Sequence, residues 1–306
     1  MANTMNKEAR KVYEDGEGGI HRLPDECLAK AIGLTSPADA CRAAAVSAAF
    51  QSAADSDVVW ERFLPPDCDA VLERAVHLVD ASCKKELFMD LCDEHVLLDD
   101  GKMSFGLQRS NGSKCYMVSA TELQIAWANV DLYWRKRSDP DSRFSKVIEL
   151  VSVCLLSIYA IINIKELSPG THYAGYLVFK LTHNASGLGS SRQISFVEID
   201  EQPVGKVYTA SLHPCTRSSC EPGRECESST MEEPHEHKQE DDGSGIAVVR
   251  YPRQRVDGWL ELEMGDFYTG TIDDPTANVK IALSEYEELK WKKGLIVEGI
   301  EIRPKN

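Results

Sequence analysis

Near Lys114 the hydrophobic pattern of this chain changes period, and that change divides its folding options. Before it, apolar residues recur every three or four positions: Val71, Leu72, Ala75, Val76 and Val79, then Leu87, Leu91 and His95. That spacing predicts helix over about 70–95. After it they alternate. Leu123, Ile125 and Trp127 oppose Gln124, Ala126 and Ala128, and Tyr173, Leu177, Phe179 and Leu181 alternate with smaller or polar neighbours. Ile194, Phe196 and Glu198 oppose Ser195, Val197 and Ile199; Trp259, Glu261 and Glu263 oppose Leu260, Leu262 and Met264. Val279, Ile281 and Leu283, then Ile296, Ile300 and Ile302, continue the series. Many short strands separated by Gly, Pro and Asp signals predict an antiparallel β-sandwich. Asp99-Asp100-Gly101 and Asn111-Gly112 are turn signals around a paired stretch at 103–108. The apolar run 150–164, interrupted by Ser152, Ser157 and Asn163, reads as buried strand, since it falls short of the roughly 20 residues a membrane helix needs.

The segment 21–65 is a different object. Pro24 suits a first helical turn, with Asp25 and Glu26 at the positive end of the helix and Leu28 and Ile32 four apart on one face. Ser36 is placed to cap a second helix, with Pro37 first in it and Asp39 three residues on. Ala38, Cys41 and Ala45 repeat at helical spacing, Phe50, Ala53 and Ala54 form a third turn, and Val59, Trp60 and Phe63 close the unit. Chains of about 40 residues bury too little surface to fold unaided, so these apolar side chains want a second surface.

The fold class is therefore α+β multidomain. The expected organisation is a polar tail over 1–20 and a helical domain over 21–66. A helical linker and the start of the second domain follow over 67–113, then the sandwich over 114–306. Between about 212 and 245 the sequence turns polar and acidic, with Glu232-Glu233 and Glu240-Asp241-Asp242, and reads as a mobile insert. The 306 residues have room for two domains, and a net charge of −15 argues against nucleic-acid and anionic-membrane partners. The short basic clusters Arg135-Lys136-Arg137 and Lys290, Lys292, Lys293 read as solvated faces. Residues 1–19 lack the apolar core of a secretory signal, so the ten cysteines are expected as reduced thiols in the cytoplasm or nucleus. The sequons at Asn111 and Asn184 are then chance matches.

In order and spacing, segment 21–65 resembles an F-box, through Leu23-Pro24, Ser36-Pro37, Val46-Ser47 and Val59-Trp60. That resemblance implies docking on a Skp-type adaptor, and through it a cullin, by Leu23, Pro24, Leu28, Ile32, Pro37, Cys41, Val46, Phe50 and Trp60. The β-rich part resembles the phloem protein 2-like (Nictaba-type) lectin family of plants, and the whole chain looks like its B-type F-box members. Three stretches carry the match: 115–144, with Trp127, Tyr133-Trp134 and Ser142-Arg143-Phe144; 167–181, with Leu167-Ser168-Pro169-Gly170; and 257–304, with Asp257-Gly258-Trp259 and the closing Trp291 to Pro304. The family implies a sandwich of lectin-like, jelly-roll type that binds glycans containing N-acetylglucosamine. An indole face stacks on the C–H side of a pyranose while carboxylates or amides hold its hydroxyls. The family's two site tryptophans map onto Trp127 and Trp134, one carboxylate onto Glu285, and the other position holds Asn278. An amide there loses charge assistance. A second departure lies at 154–164, where the family's usual Trp and Gly are absent. Trp127, alternating with Leu123 and Ile125, also fits a core residue.

Cys215, Cys220, Cys226, His235 and His237, with His213 nearby, fit no standard zinc spacing, so no metal is expected. No phosphate loop, nucleophile elbow or His-Glu-x-x-His occurs, so no catalytic residue and no cofactor is assigned. The expected function is the substrate-recognition subunit of a Skp-cullin-F-box ubiquitin ligase, whose sandwich captures a glycoprotein or protein client. The rivals are a stand-alone nucleocytoplasmic lectin or defence-related protein, and a sandwich that binds protein only.

Overall fold

The structure, a computed structural model, describes residues 23–189, 193–215, 235–241, 245–271 and 274–305. The expected tail and residues 216–234 of the expected insert lie outside them. Two compact units divide the chain. The first comprises Met1–Pro66, Ala81–Phe88 and Arg109–Gly112, and the second Asp67–Asp80, Met89–Gln108 and Ser113–Asn306.

In the first unit α1 (Asp25–Ile32), α2 (Pro37–Ala44), α3 (Ala48–Ala54) and α4 (Asp57–Trp60) follow in quick succession. Pro24 stands one residue earlier than expected, as an extended N-cap whose carbonyl accepts from Cys27 N–H at 2.8 Å. Ser36 caps α2 as its spacing predicts: its hydroxyl accepts from Asp39 N–H at 3.1 Å, with Pro37 opening the helix. Ser47 does the same for α3 through Phe50 N–H. Leu28, Ile32, Ala53, Ala54, Val59 and Trp60 form the core. The indole of Trp60 is fully buried and donates to Ala54 C=O at 2.7 Å.

That core is not completed by residues 21–65 alone. Phe88 packs on Trp60 at 5.2 Å between ring centroids, and Phe63 meets both rings. Asp57 accepts from Lys84 N–H at 2.8 Å and Asp55 pairs with Lys85 at 2.6 Å, which fastens the 81–88 segment in place. Gly112 (φ +73°) passes so close to Phe63 that a Cβ would lie 2.1 Å from its carbonyl oxygen, so only glycine fits.

In the second unit α5 (Cys68–Leu72) is short, and α6 (Lys84–Asp93) begins in the first unit. The helix expected through 75–79 does not form. Ala75 bridges to Leu98, and Val76 N–H donates to Leu97 C=O at 2.8 Å, so backbone pairing overrides a weak helical pattern. The strands are β1 (Val96–Leu98), β2 (Met103–Leu107), β3 (Lys114–Ser119), β4 (Gln124–Ile125), β5 (Trp134–Arg137), β6 (Val147–Leu150), β7 (Leu156–Asn163) and β8 (His172–Ser186). They continue with β9 (Gln193–Ile199), β10 (Gln202–Ala210), β11 (His235–Asp241), β12 (Gly245–Tyr251), β13 (Arg253–Gln254), β14 (Leu260–Tyr268), β15 (Asn278–Glu285) and β16 (Lys293–Pro304).

One sheet has nine strands, in the order β1-β2-β3-β16-β8-β14-β13, with β6 pairing both β16 and β5. The other has seven, in the order β11-β12-β10-β9-β15-β7-β4. Among the described residues all pairings are antiparallel except β10 with β12. The faces meet closely. A Cβ on Gly175 of β8 would lie 2.6 Å from Ile281 of β15, and one on Gly265 of β14 would lie 2.9 Å from Val197 of β9. A core cluster of Met117, Phe144, Val147, Val178, Trp259 and Ile296 is built on the other face of the nine-stranded sheet, opposite the side where Gly175 meets Ile281.

The run at 150–164 is not one buried strand. It breaks at 151–155, and β7 resumes with alternate residues turned outward, Ile161 among them. The insert at 212–245 also ends sooner than expected, because β11 pairs with β12 along its length.

Charged residues thread the second unit. Glu301 is buried between Arg255 (2.6 Å) and Arg303 (2.7 Å). Burial alone raises its pKa, but the two guanidiniums outweigh that and hold the carboxyl well below the usual range. Beside them His95 lies 2.9 Å from Arg143, and burial together with that guanidinium pushes its pKa down to about 4. An unfolded chain takes up a proton near pH 6.5 that the folded His95 refuses until about pH 4, so acidification favours unfolding within that window. Stability to urea is expected to fall by on the order of 2 kcal/mol more between pH 7 and pH 4.5 than in His95→Gln. Parallel pH profiles for the two proteins would contradict it.

Candidate functional site

The second unit presents a cleft of about 170 Å³ lined by Trp127, Tyr133, Val153, Cys154, Leu155 and Trp291. Its floor is the 151–155 break between β6 and β7. Its walls are aromatic. Trp127 is 60% exposed and Trp291 64%. Trp127 meets Tyr133 edge-on at 6.4 Å.

Trp127 does not continue the β4 alternation into the core. It sits in the following turn with φ +65°, a left-handed conformation that costs a bulky residue on the order of 1 kcal/mol. The turn is held by Ala128 N–H to Ile125 C=O (3.2 Å) and Val130 N–H to Trp127 C=O (3.0 Å). Strain of this kind persists only where the surroundings impose it, and here it presents an indole to solvent.

Trp134 plays another part. It is buried, and its indole N–H donates to Ala126 C=O at 3.0 Å, bracing the peptide just before Trp127. Glu285 is equally hidden: it and Lys292 are both 0% exposed, with Nζ 2.7 Å from Oε2. The ammonium donates its directed hydrogen bonds to Cys154 C=O and Lys290 C=O, each at 2.8 Å, and the carboxylate is left to charge attraction. Reciprocal backbone bonds between Val153 and Lys292, at 3.0 and 2.7 Å, tie the same two segments together.

Asn278 does not belong to this group. It begins β15 and Glu285 ends it, so about 23 Å of strand separates them. Asn278 is exposed beside Asn163, its N–H donating to Asp200 at 2.9 Å. Of the four residues expected to hold sugar, Trp127 lines the cleft, Trp134 and Glu285 lie behind it, and Asn278 is elsewhere. Sequence reasoning passed over Trp291. The available signal was a lone indole within the charged stretch Glu287-Glu288-Leu289-Lys290-Trp291-Lys292-Lys293, where no core periodicity explains it.

The residues expected to meet an adaptor also divide. Leu23 (45%), Pro24, Cys41 and Val46 (63%) are exposed, and Phe50 is half-buried. Leu34 and Val58 add further exposed apolar surface. Leu28, Ile32, Pro37 and Trp60 are buried in the unit's own core, because the helices are too short to bury one another without them. They shape the surface and do not form it. Of the cysteine–histidine set, Cys220 and Cys226 lie outside the described residues. Among those described, no three His, Cys, Asp or Glu side chains converge, and no helix is long and apolar enough to cross a membrane.

Comparison with known proteins matches residues 113–304 to the Phloem protein 2 family model and residues 20–65 to the F-box-like model. F-box protein PP2-B1 of Arabidopsis thaliana is 40% identical, covering 92% of this chain and 89% of that one. Putative F-box protein PP2-B8 of the same plant is 37% identical over 100% of this chain and 95% of its own. Among solved structures, a family 35 carbohydrate binding module from Clostridium thermocellum aligns with 61% of this chain and 96% of its own. Its TM-score is 0.30 at 10% identity, too loose a likeness to build on.

Proposed function

Because this chain belongs to the phloem protein 2 family and carries an F-box-like segment ahead of that domain, we propose that it is the substrate-recognition subunit of a Skp-cullin-F-box ubiquitin ligase. The first unit docks on a Skp-type adaptor through the apolar surface it leaves exposed around Leu23, Pro24, Cys41 and Val46. The sandwich captures the client. Such a subunit performs no bond chemistry of its own; it works by proximity, holding a client near a conjugating enzyme in the cytoplasm or nucleus.

One observation carries the capture half of this reading. Trp127 and Trp291 stand exposed on either side of an apolar floor, in a domain that buries Trp134 and Trp259. Solvent-exposed indoles around a concave apolar surface suit the C–H face of a pyranose, so a glycan containing N-acetylglucosamine is the ligand proposed for the cleft. Calorimetric titration of the full chain with chitin oligomers tests it. Saturable binding is expected, weakened about tenfold by Trp127→Ala and again by Trp291→Ala. Absence of binding to the parent protein would discard the glycan and leave a protein client.

A further inference from the structure

We propose that Glu285 and Lys292 form the positioning element of the cleft, and that the carboxylate acts through the lysine and not on the ligand. The inference rests on the cleft being the ligand site, and the geometry behind it is specific. Glu285 ends β15 with no exposed surface, so no hydroxyl of a bound molecule reaches it. The ammonium it neutralises joins two carbonyls from different segments: Cys154 on the cleft floor and Lys290 immediately before Trp291. One buried cation thus sets both the floor and the second aromatic wall.

A lysine in an apolar interior keeps its charge only beside a counter-ion, and only a charged ammonium offers three donors at once. Remove the carboxylate and the buried ammonium loses its counter-ion, its hold on the two carbonyls loosens, and the indole loses its orientation. The carboxylate at this position is therefore needed for binding without touching the ligand.

The test uses the full chain labelled with 5-fluorotryptophan, whose five indoles give separate fluorine signals, Trp291 being identified by its loss in Trp291→Ala. The double variant Glu285→Gln/Lys292→Met removes both charges at similar volume. Its Trp291 signal is expected to shift and broaden while those of Trp60 and Trp259 stay in place, and its affinity for chitin oligomers to fall at least tenfold, as in Trp291→Ala. An unmoved Trp291 signal overturns the proposal, as does parental affinity in the double variant where Trp291→Ala is weakened. Should the double variant fail to fold, Glu285→Asp keeps the charge and withdraws it by one methylene; the same signal must move there too. If the parent binds no chitin oligomer, the glycan reading falls, and the ligand-free fluorine signal still decides this one.

Discussion

Trp60→Ala is expected to unfold the N-terminal unit while the sandwich stays folded. The indole is fully buried against Phe63 and Phe88 and donates to Ala54 C=O. Truncation of such a residue costs about 3–5 kcal/mol in cavity and lost contact, and it orphans a buried carbonyl. A unit this small has little more than that in reserve. Limited proteolysis would show cuts among residues 25–60 at protease levels the parent resists, with a stable fragment from the sandwich. Trp60→Phe, which keeps most of the packing and loses the hydrogen bond, should cost only about 1 kcal/mol beyond its smaller ring. Equal resistance of Trp60→Ala and parent would mean that the aromatic cluster does not hold the unit together.

The second large effect concerns association. Leu23→Ala with Pro24→Ala removes two exposed apolar side chains from the proposed adaptor surface without opening the core. Central apolar anchors of an interface can cost about 2 kcal/mol each, so the pair should weaken adaptor binding by on the order of 1,000-fold. Binding of chitin oligomers, located in the other unit, should be untouched. Pull-down with purified adaptor, read beside that titration, separates the candidates: undiminished adaptor binding by the double variant would remove the docking surface proposed here, and a parent protein that captures no adaptor would favour a free-standing lectin.

Local chemistry made much of this legible in advance. Ser36 caps the helix its spacing marks, and the alternation in β8 and β15 places Tyr173, Leu177, Phe179, Val279, Ile281 and Leu283 in the core. The failures came where neighbours distant in sequence decide. Ala75 and Val76 carry a helical pattern, yet the strand at 96–98 claims their backbone. Trp127 ends an alternating run, and only the Ala126 carbonyl held by Trp134 explains why the chain turns there and presents the ring outward. Glu285 and Asn278 look equivalent as polar residues on one strand, but they stand at its opposite ends, one sealed and one wet. No periodicity encodes which end of a strand faces a cleft. Trp291 was overlooked because it sits among charges, which is where a ligand-facing indole is to be expected.

Phe88 and Gly112 lie well past the 20–65 stretch that matches the F-box-like model, yet both belong to the first unit's fabric. A graft cut at residue 66 would leave its ring lid behind. Transplanted to another protein, those helices would carry Trp60 open to water and would stick to whatever apolar surface came first. Anyone swapping adaptor modules among such proteins should therefore carry the 81–88 and 109–112 segments along with the helices, although both lie in sequence among stretches of the second unit.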